Sequence, residues 1–415
     1  MLVLLTGMTF GSLPVAGADW PQFRGPDLDG KSTETGIIKS WEQKAPELLW
    51  MGEGMGNGYA SVAVVGDRIY TTGDMKDGQG VVAIDAKDGK VLWSTALTEG
   101  VPKHGFEGAR CTPTVVGNQL WVTTSNGMIA CLTTDGKQVW KKSFEKEWGG
   151  KMMSGWGYAE SVLVDGNAAI CTPGGPEAMM VALNKDTGAE LWKCKVPEYG
   201  KNGKPGAAYS SVVISKAAGV KQYVQMTGHG VIGVRASDGK FLWGYDHSAN
   251  GVANISSPVI AGEHVFSSSA YGAGAGLVRL DKDGDGVKAT ELYFLKADVL
   301  QNHHGGMVLV DGYIYCGHKQ NGGDPVCIDV KTGKSMWAAV KAPGKGSAAV
   351  TYADGHLIFR YQDGLVLLVE ATPKEFHMLG SFMPKHQEKE SWAHPVVSGG
   401  KLYLREQDKL MCYQL

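Results

Sequence analysis

Apolar and polar positions alternate in short bursts along this chain, and the bursts recur. The clearest reads VVAIDAKDGKVLW over residues 81–93, an apolar run ending in Asp85, a turn at Asp88-Gly89 and a closing tryptophan. Val81 to Ile84 are apolar at every position, the pattern of a strand covered on both faces. Asp-Gly supplies the positive-φ position at which the chain reverses. The pattern predicts a hairpin whose second strand carries an aromatic ring outward. The string returns as IACLTTDGKQVW (129–140), MVALNKDTGAELW (180–192), VIGVRASDGKFLW (231–243) and PVCIDVKTGKSMW (325–337).

A lone hairpin of this kind cannot bury its faces, whereas stacked copies can, so the period carries the fold. The tag tryptophans Trp50, Trp93, Trp140, Trp192 and Trp243 are 43 to 52 residues apart, and Trp337 follows after 94, two units on. The missing member is expected in VKATELYF, ending at Phe294, and an eighth at Phe382. A second landmark, a turn glycine before an apolar strand (VVGDRIYTT, LVDGYIYCG, VSGGKLYLR), repeats in step with the tags. Eight units of four-strand length predict an all-β, eight-bladed propeller of antiparallel blades. The strand ending at Trp50 has no unit ahead of it, and the last unit, Trp392 to Leu415, lacks its tag. The N-terminal strand is therefore expected to complete the last blade and leave no open edge. The expected division is an export signal at 1–18, a wrapping segment at 19–45 and one propeller at 46–415.

Composition narrows the functions. The net charge is −2 with no basic stripe, which excludes a nucleic-acid partner. No stretch after the leader approaches the roughly 18 unbroken apolar residues of a membrane span. The leader, with Leu2 to Leu5 apolar and Ala16-Gly17-Ala18 at a small-x-small site, reads as an export signal, placing the protein in the periplasm or outside the cell. It has no cysteine, so no lipid anchor is expected. The 7 cysteines form no C-x-x-C pair, and most sit in apolar strands, where buried thiols are expected. Cys316 and Cys327 flank one hairpin and are the candidate disulfide.

Candidate chemistry gathers in the loops that lead into the inner strands of the blades, which share one mouth of a propeller. These loops hold Tyr59, Arg110, Trp156, Tyr158, Glu160, Tyr209, Asn254, His303, His304, Trp392 and His394. Stacking rings with a few polar groups suit a small polar ligand or a sugar. His303 and His304 are adjacent, so in a strand only one would face the mouth. The functional reading makes that one a metal ligand or general base, with His394 and Glu160 as partners; the plainer reading is a histidine bonded to nearby backbone. Glu160 and Arg110 are equally placed to form an ion pair across the channel. Asp281, Asp283 and Asp285 resemble the start of a calcium loop, but Leu292 stands where an EF-hand needs a bidentate Glu. An acidic turn is the plainer reading, and no metal site is expected elsewhere.

The D-x-x-[TD]-G-x-x-x-W tags resemble the PQQ-binding-like β-propeller repeats (PQQ is pyrroloquinoline quinone) of quinoprotein alcohol dehydrogenases and of the outer-membrane assembly factor BamB. DWPQFRGP (19–26), NHHGG (302–306) and SWAHPV (391–396) resemble exported propellers of planctomycete-type bacteria. The resemblance implies a quinone and calcium in its dehydrogenase branch. There the cofactor lies between a tryptophan and a disulfide of adjacent cysteines, with an Asp as base. No adjacent cysteines and no matching Asp exist here, although Trp156 and Glu160 are a candidate floor and oxygen ligand. Three functions remain: an exported propeller binding a small polar ligand, sugar or partner protein; a PQQ-dependent dehydrogenase; and a carbohydrate lyase using funnel His and Tyr.

Overall fold

The structure is a computed structural model describing residues 18–415. The expected export signal lies, but for Ala18, outside the described residues. Eight antiparallel sheets follow one another as blades: blade 1 (63–96), blade 2 (114–143), blade 3 (163–194), blade 4 (213–245), blade 5 (259–295), blade 6 (307–329), blade 7 (348–382) and blade 8 (396–414). Strand Glu47–Glu53 completes blade 8, pairing antiparallel with Lys409–Gln414 in a register that sets Trp50 opposite Cys412. The expected closure is therefore present.

The core lies between the blades. Leu120 and Val122 of blade 2 pack on Val81 and Ala83 of blade 1, and comparable apolar layers fill each later interface. At the closure, Leu410 and Cys412 of blade 8 meet Ile69 and Ile84 of blade 1. The tag explains why blades dock in one register. Trp93 donates its indole N–H to the Thr134 carbonyl of the next blade at 3.2 Å, Trp140 to Lys185 at 2.8 Å and Trp337 to Thr372 at 2.9 Å. Each ring covers the turn glycine of the neighbour: Trp50 lies on Gly89, Trp93 on Gly136 and Trp140 on Gly188, where a Cβ would collide. The Gly of the tag is thus required by the next ring as well as by its own positive φ.

Four tags depart from expectation, the first being Trp243, whose indole N–H turns back to Gln222 Oε1 of its own blade at 2.6 Å. A bulge skips one residue in the outer strand, so Leu277 faces Tyr293 while Val278 faces Glu291. The aromatic in blade 5 is therefore Tyr293, which donates to Val330 O at 2.8 Å and covers Gly333; Phe294 stacks on His247 instead. In blade 7 the same bulge puts Gly380 opposite Leu368, and Trp41 from the N-terminal segment packs over it, with Phe382 edge-on to that ring. Blade 6 has three strands, its fourth reduced to a bridge between Ile328 and Ser335. Pro325 supplies the reason. Asp329 N–H and Cys327 O bond outward, to Lys334 and Met336, and two residues further on proline has no N–H to continue the ladder.

The segment before Glu47 does more than wrap the surface. Trp20 pairs with Val64 of blade 1, Pro21 O accepts from Val115 of blade 2, and Gly30 and Ser32 bond Tyr352 of blade 7. Residues 20–32 thus cross the end of the channel and form its floor. Only the later part, with backbone N–H groups of Gly36, Ile37 and Ile38 on the Asp354 carboxylate, runs along the outside.

Cys316 and Cys327 cannot bridge. Cys316 pairs with Val326 and Tyr315 with Cys327, so the two thiols point to opposite faces and into different inter-blade cores. All seven cysteines are free and buried.

Candidate functional site

At the end opposite the floor, the entry loops enclose a funnel of ≈ 370 Å³. Its rim is braced between blades: Ser161 Oγ accepts the Thr112 N–H, Ser211 Oγ that of Ser161, and Ser257 Oγ that of Ser211, at 3.0–3.1 Å. This serine relay ties successive blades, so the side chains it carries sit on a rigid collar.

Eight of the sequence candidates line the funnel together: Tyr59, Arg110, Trp156, Tyr209, His303, His304, Trp392 and His394. Aromatic contacts make them one wall. Trp392 lies 4.7 Å from Tyr59, 5.1 Å from Phe106 and 5.0 Å from His304, ring centre to ring centre. Trp156 and Tyr209 form a second face 5.9 Å apart, where the Tyr209 hydroxyl and Ser154 Oγ share a 2.7 Å bond. Arg110 sits over the Tyr59 ring and donates to the carbonyls of Gly105, Phe106 and Gly108. Burial lowers its pKa to about 10 and lifts that of Tyr59 to about 12, so at neutral pH the first is charged and the second is not.

Both neighbouring histidines face the funnel. Residues 301–306 form a loop, not a strand, so the alternation of side chains does not apply, and the two rings lie 4.4 Å apart. His303 bonds Ser347 Oγ through Nδ1 at 2.7 Å and the Tyr271 hydroxyl through Nε2 at 3.0 Å. His394 Nε2 lies 3.3 Å from His304 O, and His304 Nε2 is buried with no partner. Burial pushes His303 and His394 down to about 4 and His304 well below its usual value, so all three are neutral at pH 7. Tyr271 holds φ 57°, a conformation uncommon for a side-chain-bearing residue and one that aims its hydroxyl at His303.

Three candidates fall elsewhere. Glu160 is 2% exposed, turned into blade 3, and accepts from Thr172 N and Oγ1, both at 2.7 Å, and from Gln225 Nε2. It makes no pair with Arg110. Tyr158 packs edge-on to Phe144 and donates to Pro173 O. Asn254 is fully buried and ties Asn250 N–H to the carbonyls of Thr227 and Gly228. Their neighbours line the funnel instead: Ala159 and Ser161 flank Glu160, and Ala253 and Ile255 flank Asn254. Asp281, Asp283 and Asp285 lie on the tip of the blade 5 hairpin, where Asp281 pairs with Arg279 and Asp285 with Lys240.

Several funnel residues carry no repeat signal. Phe23 and Arg24 rise from the floor segment, and Phe106, Tyr271, Gln362 and Glu390 come from loops of irregular length. Only the cluster FRGP, charged and aromatic before a tight turn, could have marked the first two.

The model of the family described as outer membrane protein assembly factor BamB matches residues 34–141 and 102–339. The chain belongs to this PQQ-like propeller family. No curated protein matches the BamB-like chain in sequence. Among solved structures it resembles BamB from Moraxella catarrhalis, with 12% identity, TM-score 0.62, and 89% of this chain and 98% of that one covered. It also resembles the quinohemoprotein alcohol dehydrogenase of Comamonas testosteroni, with 13% identity, TM-score 0.65, and 95% and 80% covered. The quinohemoprotein alcohol dehydrogenase ADHIIG of Pseudomonas putida HK5 gives 14%, 0.63, 96% and 80%. At these identities the likeness is one of fold.

The funnel residues of this BamB-like propeller do not fit a calcium-bound quinone. Glu390 is the one carboxylate among the funnel-lining residues, and no described group of three or more His, Cys, Asp or Glu is placed to hold a metal ion. Every cysteine is in a blade core.

Proposed function

We propose that this BamB-like propeller is an exported binding protein whose funnel takes a small polar ring compound of the carbohydrate class, without quinone chemistry. The observation that carries the reading is the continuous wall of Tyr59, Trp392, Phe106 and His304 beside a second face of Trp156 and Tyr209. Flat rings meet the apolar faces of a sugar, while Arg110, the neutral histidines and Gln362 offer hydrogen bonds at its edge. A panel of neutral and acidic monosaccharides titrated against tryptophan fluorescence tests it. At least one should quench, and Trp392→Ala should weaken that response; no response to any member refutes the reading.

One observation favours a catalytic variant, a lyase. The relay Ser347–His303–Tyr271 holds a neutral imidazole 3.0 Å from a phenol, an arrangement able to take up a proton. Release of an unsaturated product, followed by ultraviolet absorbance and lost in Tyr271→Phe, would support it. The partner-protein reading places a protein segment at the same mouth, and saccharide competition with such a segment would separate the two.

A further inference from the structure

We propose that the funnel is an anion site, and that its ligand is a ring compound bearing one carboxylate, of the uronic acid class, met by Arg24 and Arg110. This deepens the funnel reading and rests on it. Arg24 stands on the floor segment and is only 6% exposed. Its Nη2 donates to Asp29 O at 3.0 Å and to Met307 O, and its Nε to Leu28 O at 3.4 Å. Those bonds hold the guanidinium in one orientation. Its Nη1 is buried with no hydrogen-bond partner, and it lies against Gly306, whose would-be Cβ also neighbours His394; both residues line the funnel.

Neither Arg24 nor Arg110 has a carboxylate within ion-pair distance among the described residues. The other deep arginines are either ion-paired or have their donors taken up by the fold. Arg360, equally buried, pairs with Glu406 at 2.8 Å. Arg405, 2% exposed, spends its donors on Gly56 O, Thr72 O, Thr71 Oγ1 and Gln407 O. A desolvated guanidinium with free donors is costly unless an anion joins it. Arg24 Nη1 is the unpartnered guanidinium nitrogen among the funnel-lining residues, and Arg110, its donors held by the carbonyls of Gly105, Phe106 and Gly108, brings a second positive charge to the same funnel.

The charge count selects the anion. Among the funnel-lining residues Arg24 and Arg110 are positive, Glu390 is negative and the three histidines are neutral, an excess of one positive charge; Asp29 and Asp74 act on the two guanidiniums from outside the lining. A carboxylate brings one negative charge and two oxygens that match a guanidinium edge. A phosphate monoester brings nearly two. The aromatic wall then takes the ring to which the carboxylate is attached.

The experiment is calorimetric titration of the full chain with D-glucuronate, D-glucose and D-glucose 6-phosphate, on the natural protein, Arg110→Gln and Arg24→Gln. Glucuronate should bind roughly tenfold more tightly than glucose, and each variant should collapse that ratio to within roughly threefold. Arg24 also anchors the floor, so Arg110→Gln decides the matter if Arg24→Gln does not fold. Equal affinity for glucuronate and glucose overturns the anion site and leaves the funnel reading standing. Tighter binding of the phosphate overturns the carboxylate. Binding of none of the three overturns the inference, and the wider saccharide panel then decides the funnel reading separately.

Discussion

Replacing Glu160 by glutamine should remove a large pH dependence of folding stability. The carboxyl is fully buried; burial raises its pKa from 4.5 to about 8, while the two donors of Thr172 pull the other way. In the unfolded chain it titrates near 4.5. Between those values the unfolded state releases its proton and the folded state keeps it, so stability falls as pH rises. Below about 4.5 both states are protonated and above about 8 both are ionised, so the loss is confined to that window. Each pKa unit is worth about 1.4 kcal/mol, which makes the whole loss at most about 5 kcal/mol. Glutamine keeps an oxygen for the Thr172 N–H and carries no charge. Urea unfolding followed by tryptophan fluorescence from pH 5 to 8.5 measures the difference between natural protein and Glu160→Gln. The depressed histidines of the funnel act on both proteins alike and cancel. The two should agree within about 1 kcal/mol at pH 5, with the variant more stable by several at pH 8.5. Parallel curves would refute the reasoning, and so would a natural protein that gains on the variant as pH rises, because three donors would then be serving an ionised carboxylate.

Removing residues 19–51 takes away both the closing strand of blade 8 and the channel floor, and should lower the melting temperature by on the order of ten degrees; unchanged melting by circular dichroism would reject the closure. Tyr293→Phe should cost about 1 kcal/mol in urea unfolding, the net value of the bond to Val330 O, since the ring still covers Gly333. Gly306→Ala should cost more, about 2 kcal/mol or above, because φ 71° is unfavourable for alanine and its Cβ would enter the space of Arg24 Nη1. Calorimetry on that variant should also show weakened binding of any ligand that glucuronate displaces.

The blade count and the closure were legible because both depend on short-range pattern. An apolar run, a turn glycine and a tryptophan lie within thirteen residues of one another, and the same contacts recur at most interfaces. Where the pattern misled, the miss was one residue in blade 5 and two in blade 7. Phe294 and Phe382 are aromatics close to the tag position, but the bulge that these blades share with the tryptophan-tagged ones sets Tyr293 and Gly380 where the tryptophans sit. Tyr293 and Gly380 occupy the slot, and Trp41, nine residues before Trp50 in the N-terminal segment, packs over the second. Nothing in a single string distinguishes the bulged residue from its neighbours. The candidate Cys316–Cys327 bridge fails because proximity across a hairpin does not say which face each thiol takes, and the free buried thiols expected of the other strands hold here too.

The site was legible to the extent that loop position decides it. Entry loops of a propeller converge by topology, so Tyr59, Arg110, Trp156, Tyr209, both histidines at 303 and 304, Trp392 and His394 could be gathered without knowing any side-chain direction. Direction is what sent Glu160, Tyr158 and Asn254 into the blades, and each was then satisfied there by backbone or by Thr172 and Gln225. The floor could not be read at all. DWPQFRGP has no strand period, and only the distant bonds to Val64, Val115 and Tyr352 carry it across the channel. Yet this segment supplies the one deeply buried cation of the funnel with free donors. The polarity of the pocket is therefore set in part from outside the repeats: the entry loops provide an aromatic wall, neutral imidazoles and Arg110, and the non-repeating segment beneath them adds the buried guanidinium of Arg24. A propeller of identical blades without residues 20–32 would keep the wall and Arg110 and lose the buried guanidinium of Arg24.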